Sequence, residues 1–147
     1  MMRYEGGARG LLWSSQVALG NSNGVRLRVF GDKGSFQWFQ EQPNELIFTP
    51  LSGRVQMIKR GADDLSEDAK VRTRTPPGHP EGYLEAFANL YAGFAEALRA
   101  RREGREPGSI GQNIPLAYDG LKGVAFVEAV VDSHEARDQA WLKPVAV

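Results

Sequence analysis

The chain has 147 residues, a length that suits one domain with a core large enough to fold without disulfides or metals. It has no cysteine and two histidines, His79 and His134, which excludes thiolate chemistry and Cys-based metal sites and argues against a His-rich metal centre. The formal net charge is zero, no apolar run is long enough to span a bilayer, and no basic-then-apolar leader opens the chain. The expectation is a soluble cytoplasmic protein with neither nucleic acid nor membrane as partner.

The first 60 residues read as short strands joined by tight turns. Residues 1–4 lean apolar and are followed by a turn at Glu5-Gly6-Gly7. Leu11, Trp13, Ser15, Val17 and Leu19 alternate with Leu12, Ser14, Gln16 and Ala18, the period of a strand. Further alternation covers residues 25–30, 36–39, 46–48 and 55–58, separated by glycine- and asparagine-rich turns. Spacing this short implies an antiparallel meander, because parallel strands need long crossovers. Trp13, Phe30, Trp38, Phe39 and Phe48 are more large apolar groups than one solvated sheet face accommodates. Some of them are expected on a second face, where another subunit is a natural cover.

Residues 61–77 read as a polar exposed loop whose acidic residues do not have calcium-loop spacing. A helix is predicted over residues 81–102, with Leu84, Phe87, Ala88, Tyr91, Phe94, Ala95 and Leu98 on one face and Gly104 and Pro107 ending it. The basic run at its end, residues 99–105, complements the helix dipole. A second helix is predicted over residues 115–136, where Gly120 and Gly123 lower the propensity and point to close contact with a neighbour. A last short strand is predicted over residues 141–147. The class is α+β: an open antiparallel, predominantly meander sheet of about six or more strands, with two long helices on one face. One domain is expected over residues 1–147.

Nothing in the sequence forms a complete active site. There is no G-x-G-x-x-G, no P-loop and no nucleophile elbow, and Gly6-Gly7-Ala8-Arg9-Gly10 has the wrong spacing and the wrong context for a nucleotide loop. His79 lies between prolines and glycines just ahead of the first long helix. It is a candidate to bind substrate hydroxyls, against the plainer reading of a loop histidine at a helix entry. Tyr83, one turn later, is a second substrate-binding candidate, with packing as its alternative. Arg9 and Gln16 are read as sheet residues that reach a substrate or a neighbouring subunit. Asp119 and His134 are read as helix-end residues, each placed where its charge suits the dipole.

Several blocks in order resemble one family. They are Gly6-Gly7-Ala8-Arg9-Gly10, then Trp13-x-Ser15-Gln16, then the run from Asn23 to Trp38, then Gly78-His79-Pro80-Glu81-Gly82-Tyr83 with the aromatic helix after it, and Tyr118-Asp119-Gly120-Leu121. This set is similar to the glucose–fructose oxidoreductase, inositol dehydrogenase and rhizopine-catabolism (Gfo/Idh/MocA) family, and to its C-terminal domain alone. The resemblance implies a dihydrodipicolinate-reductase-like α+β domain that supplies a wall of the substrate pocket and oligomer contacts through its sheet. The expected full-length enzyme is an NAD(P)-dependent oxidoreductase acting on a sugar, polyol or inositol-like alcohol. NAD or NADP would be held by an N-terminal Rossmann domain absent from this chain, and none by the chain itself.

The departures from the family pattern fit that division. The family's catalytic lysine lies in Glu-Lys-Pro, whereas here the similar string is Leu142-Lys143-Pro144 near the C-terminus, so Lys143 is not that lysine. The family's Asp-x-x-x-His is also missing, since Thr75 stands four before His79 and Val130 four before His134. The expectation is a cut domain or a fragment, with no catalytic, cofactor or metal residues of its own and no activity in isolation. The alternative is a stand-alone, non-catalytic assembly module that dimerises through its sheet.

Overall fold

Alternating segments pair into sheets in the first part of the chain, and periodic segments form helices in the second. The computed structural model describes residues 1–136, so the strand expected over residues 141–147, and Lys143, lie outside the described residues. The chain divides into two units, Met1–Ala62 and a second beginning at Asp63, and each is described by itself.

The first unit opens with a small ribbon of β1 (Met2–Arg3) and β2 (Arg9–Gly10), turned by a hydrogen bond from Gly7 N–H to Tyr4 O at 2.9 Å. A four-stranded antiparallel meander follows: β3 (Arg26–Phe30), β4 (Gly34–Phe39), β5 (Glu45–Pro50) and β6 (Gln56–Lys59), in that spatial order. Register sorts the side chains. Leu27 pairs with Trp38, Trp38 with Leu46 and Leu46 with Ile58, while Val29, Phe36 and Phe48 align in the next row of the same face. The Phe36 and Phe48 rings stack there at 4.8 Å. The opposite face carries Phe30, Phe39, Ile47 and Met57 among Arg26, Arg28, Gln37, Glu45 and Lys59. Arg26 lies over the Phe39 ring at 4.2 Å and Arg28 over Phe30 at 5.5 Å, so cation–π contact partly covers these aromatics. Trp38 Nε1–H donates to Pro43 O at 3.1 Å and pins the β4–β5 connection.

Residues 11–19 are not a strand, contrary to the alternation. Here the backbone bonds to itself: Val17 N–H donates to Ser15 Oγ at 3.2 Å and Leu19 N–H to Val17 O at 3.1 Å. Trp13 and Val17 are exposed. Alternation states which side chains would share a face, but a strand also needs a partner for its ladder, which period alone does not supply. Gln16 is therefore not a sheet residue, whereas Arg9 is. The expected single sheet of about six strands is therefore not formed: among the described residues the strands make a two-stranded ribbon and a separate four-stranded meander.

In the second unit, the stretch expected to be an irregular loop contains a short helix, α1 (Glu67–Lys70), capped by Ser66 Oγ accepting from Ala69 N–H at 3.3 Å. The first long helix is α2 (Tyr83–Glu103), ended by Gly104. The single-turn helix α3 (Ser109–Gln112) then folds back on it, and α4 (Ala117–Glu135) is the second long helix. Asp119 does the structural work expected of it: its Oδ2 accepts Leu116 N–H at 2.8 Å at the entry to α4.

The close approach by glycine occurs at Gly93 of α2, not at Gly120 or Gly123. A Cβ on Gly93 would lie 2.6 Å from Ile110 O and 2.7 Å from Ile114 Cγ2, whereas one on Gly120 or Gly123 would meet nothing within 4 Å. Ala100, one of two buried apolar side chains among the described residues, lies two turns further along α2. The α2–α3 fold-back is clasped by Glu96. Its Oε1 accepts from Arg105 Nη1 at 2.7 Å and from Gly108 N–H at 3.2 Å, and Arg105 Nε also reaches Glu103 at 2.7 Å. The hydrogen bond from Arg105, helped by that from Gly108, holds the Glu96 carboxyl at about 2, well below its usual 4.5. The same contacts raise Arg105 above its already high value.

Two outcomes follow for stability. Gly93→Ala should destabilise the chain by about 1–3 kcal/mol through overpacking against backbone, and Gly120→Ala should stabilise it by up to about 1 kcal/mol through helix propensity. Urea titrations of the two variants check the opposite signs. Because the folded-state value of Glu96 is depressed, its contribution is present above 4.5 and is lost as pH falls toward 2. The urea midpoint should therefore drop across that window, and less steeply in Glu96→Gln or in high salt, since both partners are partly exposed.

Candidate functional site

The residues before α2 form a closed loop that displays His79. Pro76, Pro77, Gly78 and His79 have the order of a type II turn: His79 N–H donates to Pro76 O at 3.2 Å, proline occupies the second position, and Gly78 has φ of +87° at the third. That φ suits glycine, and the proline ring fixes its own φ in advance, so ordering this loop costs little chain entropy.

The loop is shut at its base by side chains. Glu81 is buried, with 9% of its surface exposed. Its Oε1 accepts short hydrogen bonds from the backbone N–H groups of both Arg74 and Thr75. A carboxylate out of water requires such donors, and charge-assisted bonds to amides are among the stronger ones available. Thr75 Oγ1 donates to His79 O at 3.1 Å, across the loop. On the far side, Glu85 Oε2 accepts Gly82 N–H at 2.8 Å and fixes the first turn of α2.

The strand of chain leading into the loop is strapped along α2. Arg74 donates from Nε to Asn89 Oδ1 at 2.8 Å and from Nη2 to Ala88 O at 2.9 Å. Asn89 Nδ2 returns a bond to Arg72 O at 2.8 Å, and Arg72 Nη2 reaches Ser109 O at 3.1 Å. This part of residues 61–77 is therefore anchored, because two arginines and one asparagine satisfy backbone carbonyls that a free loop would leave to water.

His79 and Tyr83 thus stand at one end of one helix, separated by Pro80, Glu81 and Gly82, and both are exposed. The Tyr83 ring packs against Phe87 at 4.8 Å with an interplanar angle of 49°, leaving 71% of the residue exposed. His134 lies in the last turn of α4, away from this end of α2 in sequence. Glu81, Arg74 and Asn89 were not singled out from the sequence. Glu81 carries a usable signal, an acidic residue between proline and glycine at a helix entry, but its partners are main-chain amides that no side-chain pattern reveals.

The α2 entry does not make a dinucleotide cradle. A pyrophosphate needs free amides at a helix N-terminus after a glycine-rich turn that follows a parallel strand. Here Glu85 occupies the Gly82 amide, and every strand pairing among the described residues is antiparallel. Among the described residues, no three His, Asp or Glu side chains gather to hold a metal. No helix among them is long and apolar enough to cross a membrane. A shallow hollow of about 430 Å³ lies on the mixed face of the sheet, lined by residues that include Gln37, Phe39, Glu45 and Met57. It contains none of the site candidates.

Known proteins match over nearly the whole chain. The family model described as the oxidoreductase family, C-terminal alpha/beta domain, of the Gfo/Idh/MocA group matches residues 1–143. An uncharacterized oxidoreductase, YfiI, of Bacillus subtilis is 35% identical over 135 residues, covering 90% of this chain and 34% of that protein. An oxidoreductase of Sinorhizobium meliloti superposes with a TM-score of 0.79 at 43% identity, over 88% of this chain and 35% of that one. An inositol dehydrogenase homolog of Azotobacter vinelandii, solved with NADH and myo-inositol, superposes with a TM-score of 0.85 at 39% identity, over 97% of this chain and 37% of that one. The chain therefore spans about a third of the length of the relatives it matches. On these matches, the chain belongs to the Gfo/Idh/MocA oxidoreductase family, in the part described as its C-terminal alpha/beta domain.

Proposed function

We propose that this chain serves as the substrate and oligomer-contact domain of a cytoplasmic NAD(P)-dependent oxidoreductase acting on a sugar, polyol or inositol-like alcohol. The observation that carries the reading is the fixed presentation of His79 and Tyr83 at the entry of α2, in a chain that aligns almost throughout with a homolog crystallised with NADH and myo-inositol.

The division of labour follows from the chemistry on hand. Hydride transfer between a carbinol carbon and a nicotinamide needs a dinucleotide site and a proton-transfer group, and in this reading both belong to an N-terminal Rossmann domain outside the chain. This chain contributes a wall of the pocket. An imidazole both donates and accepts, which suits the dual hydrogen bonding of a vicinal polyol. The exposed phenol of Tyr83 adds a flat apolar face with a polar tip. The mixed sheet face, with Phe30, Phe39, Ile47 and Met57 in register, is the surface we assign to contact between copies.

In the full-length protein, His79→Ala should raise KM for a cyclic polyol such as myo-inositol roughly three- to tenfold, the worth of one hydrogen bond to a neutral group. It should leave KM for the dinucleotide unchanged. Steady-state kinetics with each substrate varied in turn checks this, and an unaltered polyol KM would count against substrate contact.

A further inference from the structure

We infer that Glu81 is a positioning residue for His79: its buried carboxylate locks the Arg74–Glu81 loop in the one conformation that presents the imidazole. The inference rests on the substrate role proposed above, but its structural half stands on geometry alone. Glu81 Oε1 takes both amides at the loop's start, Arg74 N–H and Thr75 N–H, and so joins the loop's two ends through one atom. With its backbone folded so, Thr75 points its hydroxyl to His79 O at 3.1 Å, and the His79 N–H closes the turn on Pro76 O at 3.2 Å. The Thr75–His79 bond reaches across the loop and needs its two sides to be near one another, and the carboxylate is the group that bridges the ends.

An ordinary helix-entry role does not account for this placement. At the start of α2 the amide of Gly82 is already served by Glu85, so helix entry has its own carboxylate. Glu81 spends both of the bonds described here on the preceding loop and not on the first turn of the helix. A carboxylate 9% exposed and facing main-chain amides would leave two partly buried donors unserved if it were removed, which favours opening of the loop over relaxation in place. An open loop lets His79 sample many positions, and a substrate hydroxyl must then order it at the moment of binding. That cost falls on substrate affinity and not on dinucleotide affinity.

The structural half is tested on the 147-residue chain by amide hydrogen exchange read by NMR. In Glu81→Ala the amides of Arg74, Thr75 and His79 should lose protection by about tenfold or more, while those in the middle of α2 keep theirs. Glu81→Gln, which retains one acceptor oxygen, should restore part of the protection, and it decides the matter should Glu81→Ala fail to fold. Unchanged protection at His79 in both variants would overturn the inference. The functional half is tested in the full-length protein with myo-inositol and NAD by a double-mutant cycle. Glu81→Ala should raise the polyol KM by a factor similar to His79→Ala, with the dinucleotide KM unmoved, and should add little in the His79→Ala background. An equal rise with and without His79 would overturn positioning through that residue. If the loop loosens but neither substitution moves the polyol KM, the lock stands and the substrate reading of His79 falls.

Discussion

Two backbone amides, those of Arg74 and Thr75, share one oxygen of the Glu81 carboxylate, and the conformation of the whole stretch ahead of α2 follows from that closure. With the ends of the loop held together, Pro76 to His79 form a single tight turn, the Thr75 hydroxyl reaches across it, and the helix begins at once with its own acidic cap. Arg74 then ties the preceding segment to the flank of the helix, and Arg72 ties it to Ser109 of α3. The exposed imidazole at the tip is thus carried on a frame of polar contacts, those of Glu81, Glu85 and Arg72 partly buried. Such a frame is costly to leave incomplete and is correspondingly well defined when satisfied.

The rest of the chain obeys a different constraint. Its described residues bury few apolar side chains fully, Ala100 and Ala125, while many on the sheet and the long helices remain exposed. In the helical unit, glycine makes up for this by letting backbone approach backbone: Gly93 admits the Ile110 carbonyl, and Glu96 clasps the fold-back with Arg105 and Gly108. The chain spans about a third of its relatives' length, and the apolar surface left exposed on its described residues is what the proposed contact between copies would cover.

How much of this was legible in the sequence depends on the range of the forces involved. The meander from residue 26 to 59 and both long helices follow from periodicity, because burying one face is a local pattern. The helix ends were legible too, since Gly104 and Asp119 act through their own immediate neighbours. Residues 11–19 misled because alternation cannot report whether a strand has a partner. The close contact expected at Gly120 and Gly123 is found instead at Gly93, for a related reason: a helical glycine matters only where another backbone arrives, and that depends on the α3 fold-back. His79 was visible as a residue type in an unusual setting. The Glu81 closure was not, because its partners are amides, which every position except proline carries.

The central claim is that this chain holds a wall of a substrate pocket but no dinucleotide site, the entries of its two long helices being served by their own carboxylates, Glu85 at α2 and Asp119 at α4. Calorimetric titration of the 147-residue chain with NADH tests it most directly. The account predicts no saturable heat up to about millimolar NADH, where a site worth about 4 kcal/mol would already register. A dissociation constant in the micromolar range would contradict it.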